Sequence, residues 1–108
     1  MTMATDEMNP VETALADDAD YVIDFTRDTI AALLAEPEVA IFRHAVSGDS
    51  ILLTVRASRQ ECGRVIGREG VVIKAINVLC NAVARKNNCY ITIDIRNNDD
   101  KADEAKRG

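Results

Sequence analysis

The sequence has no tryptophan and four aromatic residues in all, Tyr21, Phe25, Phe42 and Tyr90. Its core must therefore come mostly from Val, Ile, Leu and Ala. There is a single histidine, His44, and the three cysteines, Cys62, Cys80 and Cys89, include no C-x-x-C pair. With no C-x-x-C and one histidine we expect no zinc site, and His44 lacks the partners that acid–base or nucleophilic catalysis requires. An odd cysteine count without a signal peptide points to reduced thiols in the cytoplasm, with Cys80 packed as a small apolar residue. No apolar run approaches the roughly 20 residues of a membrane span, and the N-terminus is acidic where a signal peptide is basic. We expect no metal, no cofactor and no membrane association.

What is present is charge, unevenly divided. The net charge is −5, but residues 1–19 hold five acids and no bases, and residues 97–108 hold four acids and three bases. The 77 residues from 20 to 96 hold ten bases against nine acids, so a basic patch can still form there by local arrangement. At 108 residues the chain fits one domain with tails. We read residues 1–19 as an acidic flexible tail, 20–96 as the domain, and 97–108 as a flexible polar tail.

Helical spacing of Val22, Ile23, Thr26, Ile30, Leu33 and Leu34 predicts a helix from Asp20 to Ala35, capped by Asp20 and stopped before Pro37. Asp24 and Asp28 fall on its opposite, solvated face. Val39 to Val46 and Ser50 to Ala57 predict two strands joined across Ser47-Gly48-Asp49. Ser58 and Glu61 form the S-x-x-E pattern of a capping box, opening a short helix to Ile66. A further helix follows from Val71 to Arg85, with a stripe of Val72, Ile76, Leu79 and Val83, and Asn87-Asn88 ends it. Tyr90 to Ile95 alternates like a third strand. The order is α-β-β-α-loop-α-β.

Between the last two helices lies Val65-Ile66-Gly67-Arg68-Glu69-Gly70-Val71-Val72-Ile73. Gly67 and Gly70 permit unusual dihedrals and close approach of another backbone. Gly70 stands at a helix start, where free N–H groups and the dipole favour an anion, of which phosphate is the natural example. The loop lacks the G-x-x-x-x-G-K-[ST] of a Walker site and the strand-preceded G-x-G-x-x-G of a dinucleotide fold. No general base with a positioned partner accompanies it, so we expect no enzyme.

This stretch resembles the V-I-G-x-x-G-x-x-I signature of KH RNA-binding domains. The element order resembles the bacterial, type II arrangement, an α+β fold with a three-stranded sheet packed against helices. The resemblance spans residues 20–96, and Glu61 to Lys74 is most similar to the KhpA family, proteins made of a single KH domain. It implies that Gly67, Arg68, Glu69 and Gly70 clamp the backbone of single-stranded RNA, with backbone N–H groups and Arg68 meeting phosphates and the bases in an apolar groove alongside. Val65, Ile66, Ile73 and the strand Leu52 to Arg56 would line or support that groove, or else close the core. Arg59, Arg64 and Lys74 would widen the positive patch, or stand as solvated charges. Glu69 departs from this logic, since a carboxylate in a phosphate clamp repels its ligand unless it turns outward. With no aromatic near the loop, base stacking and sequence selectivity should be low. The family further implies a homodimer, pairing with a larger KhpB/Jag-like KH protein, and a role as post-transcriptional regulator or RNA chaperone. The alternative is a protein-interaction subunit serving cell-envelope or division control.

Overall fold

The computed structural model describes the backbone of residues 11–98 and the side chains of residues 18–98. Of the tails expected at either end, residues 1–10 and 99–108 lie outside those residues, whereas residues 11–19 begin the first helix. Helix α1 (Val11–Ala31) leads through a 3₁₀ turn (Pro37–Val39) into strands β1 (Ile41–Ser47) and β2 (Ser50–Ala57). Helix α2 (Arg59–Ile66), a 3₁₀ turn (Arg68–Gly70), helix α3 (Val71–Lys86) and strand β3 (Tyr90–Asn97) complete the order. The sheet runs β1-β2-β3, with β1 antiparallel and β3 parallel to the central strand. A parallel neighbour demands a long crossover, and α2, the glycine loop and α3 supply it.

Two-residue periodicity decides which face of the sheet is buried. Ile51, Leu53 and Val55 of β2, with Ile91, Ile93 and Ile95 of β3, pack into one core with the helices. From α1 that core takes Val22, Ile23 and Ile30, from α2 Val65, and from α3 Ile76, Cys80 and Ala84. The opposite sheet face contributes nothing to it. Between β1 and β2 the turn is Gly48-Asp49, and Gly48, at φ 61°, takes the first turn position as two-residue hairpins require.

Three expectations need correction. Asp20 does not cap α1, because the helix is already running from Val11; its C-terminus also comes earlier, at Ala31. Leu33 consequently falls in the following turn and is exposed, whereas Leu34 remains in the core. The α3 stripe is rotated from the predicted one. Leu79 is 49% exposed, and the buried positions are Ile76, Cys80 and Ala84, flanked by the partly buried Val72, Ile73 and Val83. Thr26 of α1 lies against Cys80 of α3 with both side chains fully buried, a contact between small residues. Burial pushes the Cys80 thiol up, with the Thr26 hydroxyl partly opposing it. Cys62 and Cys89 are also buried.

The capping box forms only by half. Ser58 Oγ accepts from Glu61 N at 3.2 Å, but the Glu61 carboxylate turns away to the chain leaving α1. Past α3, Asn88 adopts the left-handed conformation at φ 63°, as the Asn-Asn pair foretold. Asn81 Oδ1 accepts from Ile91 N at 3.1 Å and ties α3 to the start of β3. No helix among the described residues is long and apolar enough to cross a membrane.

Candidate nucleic-acid interface

Two helices present the glycine loop on the helical side of the sheet, and its backbone is unlike an ordinary turn. Gly67, at φ 78° and ψ 172°, occupies a region open essentially to glycine alone. A Cβ placed there would lie 2.7 Å from Val72 Cβ and 2.9 Å from Val72 N. Gly70 is left-handed at φ 77°, ψ 13°, but a Cβ on it would meet nothing nearer than Lys74 Cε at 3.8 Å. The first glycine is thus required by close packing as well as by its dihedrals, the second by dihedrals alone.

Glu69 between them is also left-handed, at φ 57°, a conformation that costs a residue with a Cβ on the order of 1–2 kcal/mol. Both glycine amides are spent, one on α2 and one within the loop. Gly67 N donates to Gly63 O at 2.8 Å and Gly70 N to Gly67 O at 3.1 Å. The N–H groups of Arg68 and Glu69 have no backbone acceptor among the described residues. Directly behind them begins α3, whose first turn carries no acid. Unspent amides just ahead of the positive end of a 16-residue helix favour negative charge at this point of the backbone.

The side chains sort themselves by depth. Val65 is 1% exposed, and so braces the loop from the core rather than reaching a ligand. Ile73 and Val72 pack partly against the same core. Ile66, at 37% exposed, is the apolar residue before the loop that reaches the surface. Arg68, Glu69 and Lys74 are exposed. Arg64 has its Nε 3.2 Å from Glu61 Oε1 while the side chain stays half-exposed, so its charge is shared between fold and surface. Strand β2, expected beside the loop, is the central strand: Leu53 and Val55 are in the core, and Leu52, Thr54 and Arg56 point to the far face. From residue 63 to residue 86 there are five bases and one acid, whereas the α1 sequence holds Glu12, Asp17, Asp18, Asp20, Asp24 and Asp28 against Arg27. Acidity and basicity are segregated onto different helices.

Glu61 is the residue whose role the sequence concealed. Its Oε1 and Oε2 accept from Ala35 N at 3.0 Å and Glu36 N at 2.7 Å. Those two bonds, aided by Arg64, hold the carboxyl below its ordinary pKa in spite of burial. The S-x-x-E pattern flagged Glu61 as a local cap, and nothing local could show that its partners lie some 25 residues earlier.

Comparison with known proteins agrees with this geometry. Residues 23–95 match the family model described as the KhpA/KhpB KH domain. The chain is 31% identical over 72 residues to the RNA-binding protein KhpA of Chlamydia caviae, an alignment covering 67% of this chain and 92% of that protein. Against the RNA-binding protein KhpA of Listeria monocytogenes it is 32% identical over 66 residues, covering 61% and 87%. The Clostridium perfringens protein of the same description is 31% identical over 64 residues, covering 59% and 85%. None of these three is described as an enzyme. A glycine loop between two helices, a mixed sheet in the order β1-β2-β3, and a match over 73 of 108 residues have one common explanation: this chain belongs to the KhpA/KhpB family of KH-domain proteins.

Proposed function

We propose that the chain binds single-stranded RNA through the Gly67–Gly70 loop and acts in the cytoplasm as a post-transcriptional regulator or RNA chaperone. The observation that carries this reading is the pair of unspent N–H groups on Arg68 and Glu69 at the start of α3, in a loop held open by Gly67. Phosphate oxygens accept from those amides, Arg68 and Lys74 add charge, and Ile66 offers an apolar contact to a base. Val65 and Ile73 support the loop from beneath.

The test is fluorescence anisotropy of a short labelled single-stranded RNA against wild type and Arg68→Asp over a salt series. Binding that weakens with a log–log slope of roughly −0.7 per phosphate neutralised, and that Arg68→Asp loses while keeping its far-UV spectrum, supports the clamp. Equal binding by both proteins, or none by either, defeats it.

A second reading rests on the outer face of α3. Val71, Ala75, Val78, Leu79 and Ala82 recur at helical spacing and are all exposed, Val78 by 73%. Such a stripe fits a second copy of this chain or a KhpB/Jag-like KH protein, and pairing would join two modest RNA sites into one tighter one. Sedimentation velocity of wild type and Val78→Glu decides it. A monomeric variant beside a dimeric wild type supports the pairing, and identical sedimentation rejects it.

A further inference from the structure

The sheet face turned away from the helices holds a second concentration of positive charge. Strand register sets Arg56 of β2 opposite Ile41 of β1 and Arg96 of β3, and sets Thr54 opposite Arg43 and Asp94. These six positions carry three arginines and one carboxylate. That carboxylate is already engaged, since Asp94 Oδ2 accepts from Arg96 Nε at 2.9 Å. Neither Arg43 nor Arg56 has a carboxylate within ion-pair distance among the described residues.

Arg56 is the more informative of the two. Its Nη1 is shut off from solvent and has no hydrogen-bond partner among the described residues, an arrangement that a charged donor does not adopt cheaply. Like charges on neighbouring strands add repulsion. Arg43, Thr54, Arg56 and Ile41 line a depression of about 270 Å³. Two guanidinium forks and a hydroxyl around such a space match a tetrahedral oxyanion, because a guanidinium binds phosphate oxygens in pairs.

We propose that Arg43, Thr54 and Arg56 form a phosphate-binding site on the open face of the sheet, separate from the glycine loop. The phosphate comes either from the RNA chain, as a second backbone contact, or from a free phosphoester. In both cases the anion neutralises the charge that Arg43 and Arg56 bring to the same depression. The site stands independently of the loop, which lies on the other side of the sheet.

The experiment is an NMR titration of the full chain with inorganic phosphate, adenosine monophosphate and a short single-stranded RNA at matched ionic strength, with chloride as control. Saturable shifts of the Arg56 and Arg43 side-chain N–H signals and the Thr54 amide are expected. Shifts with all three probes identify a general phosphate site, and shifts with RNA alone identify a phosphodiester contact. Arg43→Gln/Arg56→Gln then loses these shifts and, where RNA is the source, lowers the salt slope of RNA binding by about 0.7 per contact removed. Arg68→Asp retains the response to free phosphate if that is the source. Signals that no probe moves, or that chloride moves equally, overturn the proposal; the wild-type titration decides this even if the double variant fails to fold.

Discussion

The carboxylate of Glu61 accepts a 2.7 Å hydrogen bond from the backbone N–H of Glu36, joining the helix that carries the glycine loop to the chain that leaves α1. Ala35 N donates to the other oxygen, so two backbone donors past the end of α1 are satisfied by one side chain. The loop is thereby anchored through α2 to a segment far away in sequence.

This anchor should be visible in acid. The Glu61 carboxyl is held below its ordinary value of 4.5 by the Ala35 and Glu36 N–H groups and then by Arg64. A lowered folded-state pKa means that the stabilisation is present above the unfolded value and is lost as pH falls through the folded one. Thermal denaturation from pH 7 to pH 2.5 should show wild type losing Tm below about pH 4.5 more steeply than Glu61→Gln, and the variant should melt lower at pH 7. Parallel Tm curves would show that the carboxylate contributes nothing to folding.

The two glycines should not be equivalent. Gly67→Ala sets a Cβ against Val72 in a region of backbone space nearly closed to other residues, a cost of about 1–3 kcal/mol from the dihedrals with the clash added. Gly70→Ala has room for its Cβ and carries only the left-handed penalty of about 1–2 kcal/mol. Urea unfolding of both variants should rank Gly67→Ala as the less stable.

Replacing Glu69 should improve two properties at once. Asn tolerates the left-handed conformation that Glu69 is held in, so Glu69→Asn is expected to gain up to ~1 kcal/mol in stability. Losing a negative charge near the unspent amides should also tighten RNA binding about twofold at low salt. Denaturant melts and anisotropy measure the two effects separately. Weaker binding by Glu69→Asn would mean that the carboxylate contacts RNA favourably.

The facing of α3 can be checked by truncation. Ile76→Ala empties a core position and should cost about 2–5 kcal/mol, whereas Leu79→Ala on the exposed face should change monomer stability by roughly 0.5 kcal/mol or less. Equal losses would restore the stripe that spacing alone suggested.

Local chemistry was enough for much of this protein. Ser50 to Ala57 alternates so regularly that the bounds of β2 follow from it, Ser58 announces α2, and Asn88 is left-handed because asparagine permits it. The signature from Val65 to Ile73 located the loop and indicated its family. These signals need only a few neighbouring residues, so they survive without a fold.

What tertiary structure decided are the choices on which neighbouring residues are neutral. Helix α3 is apolar on two adjacent faces, and its packing against α1, α2 and β3 selects which one is buried and leaves Val78 and Leu79 outside. Val65 and Ile66 are consecutive apolar residues, yet one is core and the other surface, because a 100° step between them is read only against the sheet. Glu61 looked like a local cap until the turn after α1 brought two backbone donors to it. Arg43 and Arg56 are 13 residues apart and come onto one face of the sheet only when β1 and β2 pair, since register, unlike composition, exists only in the folded chain.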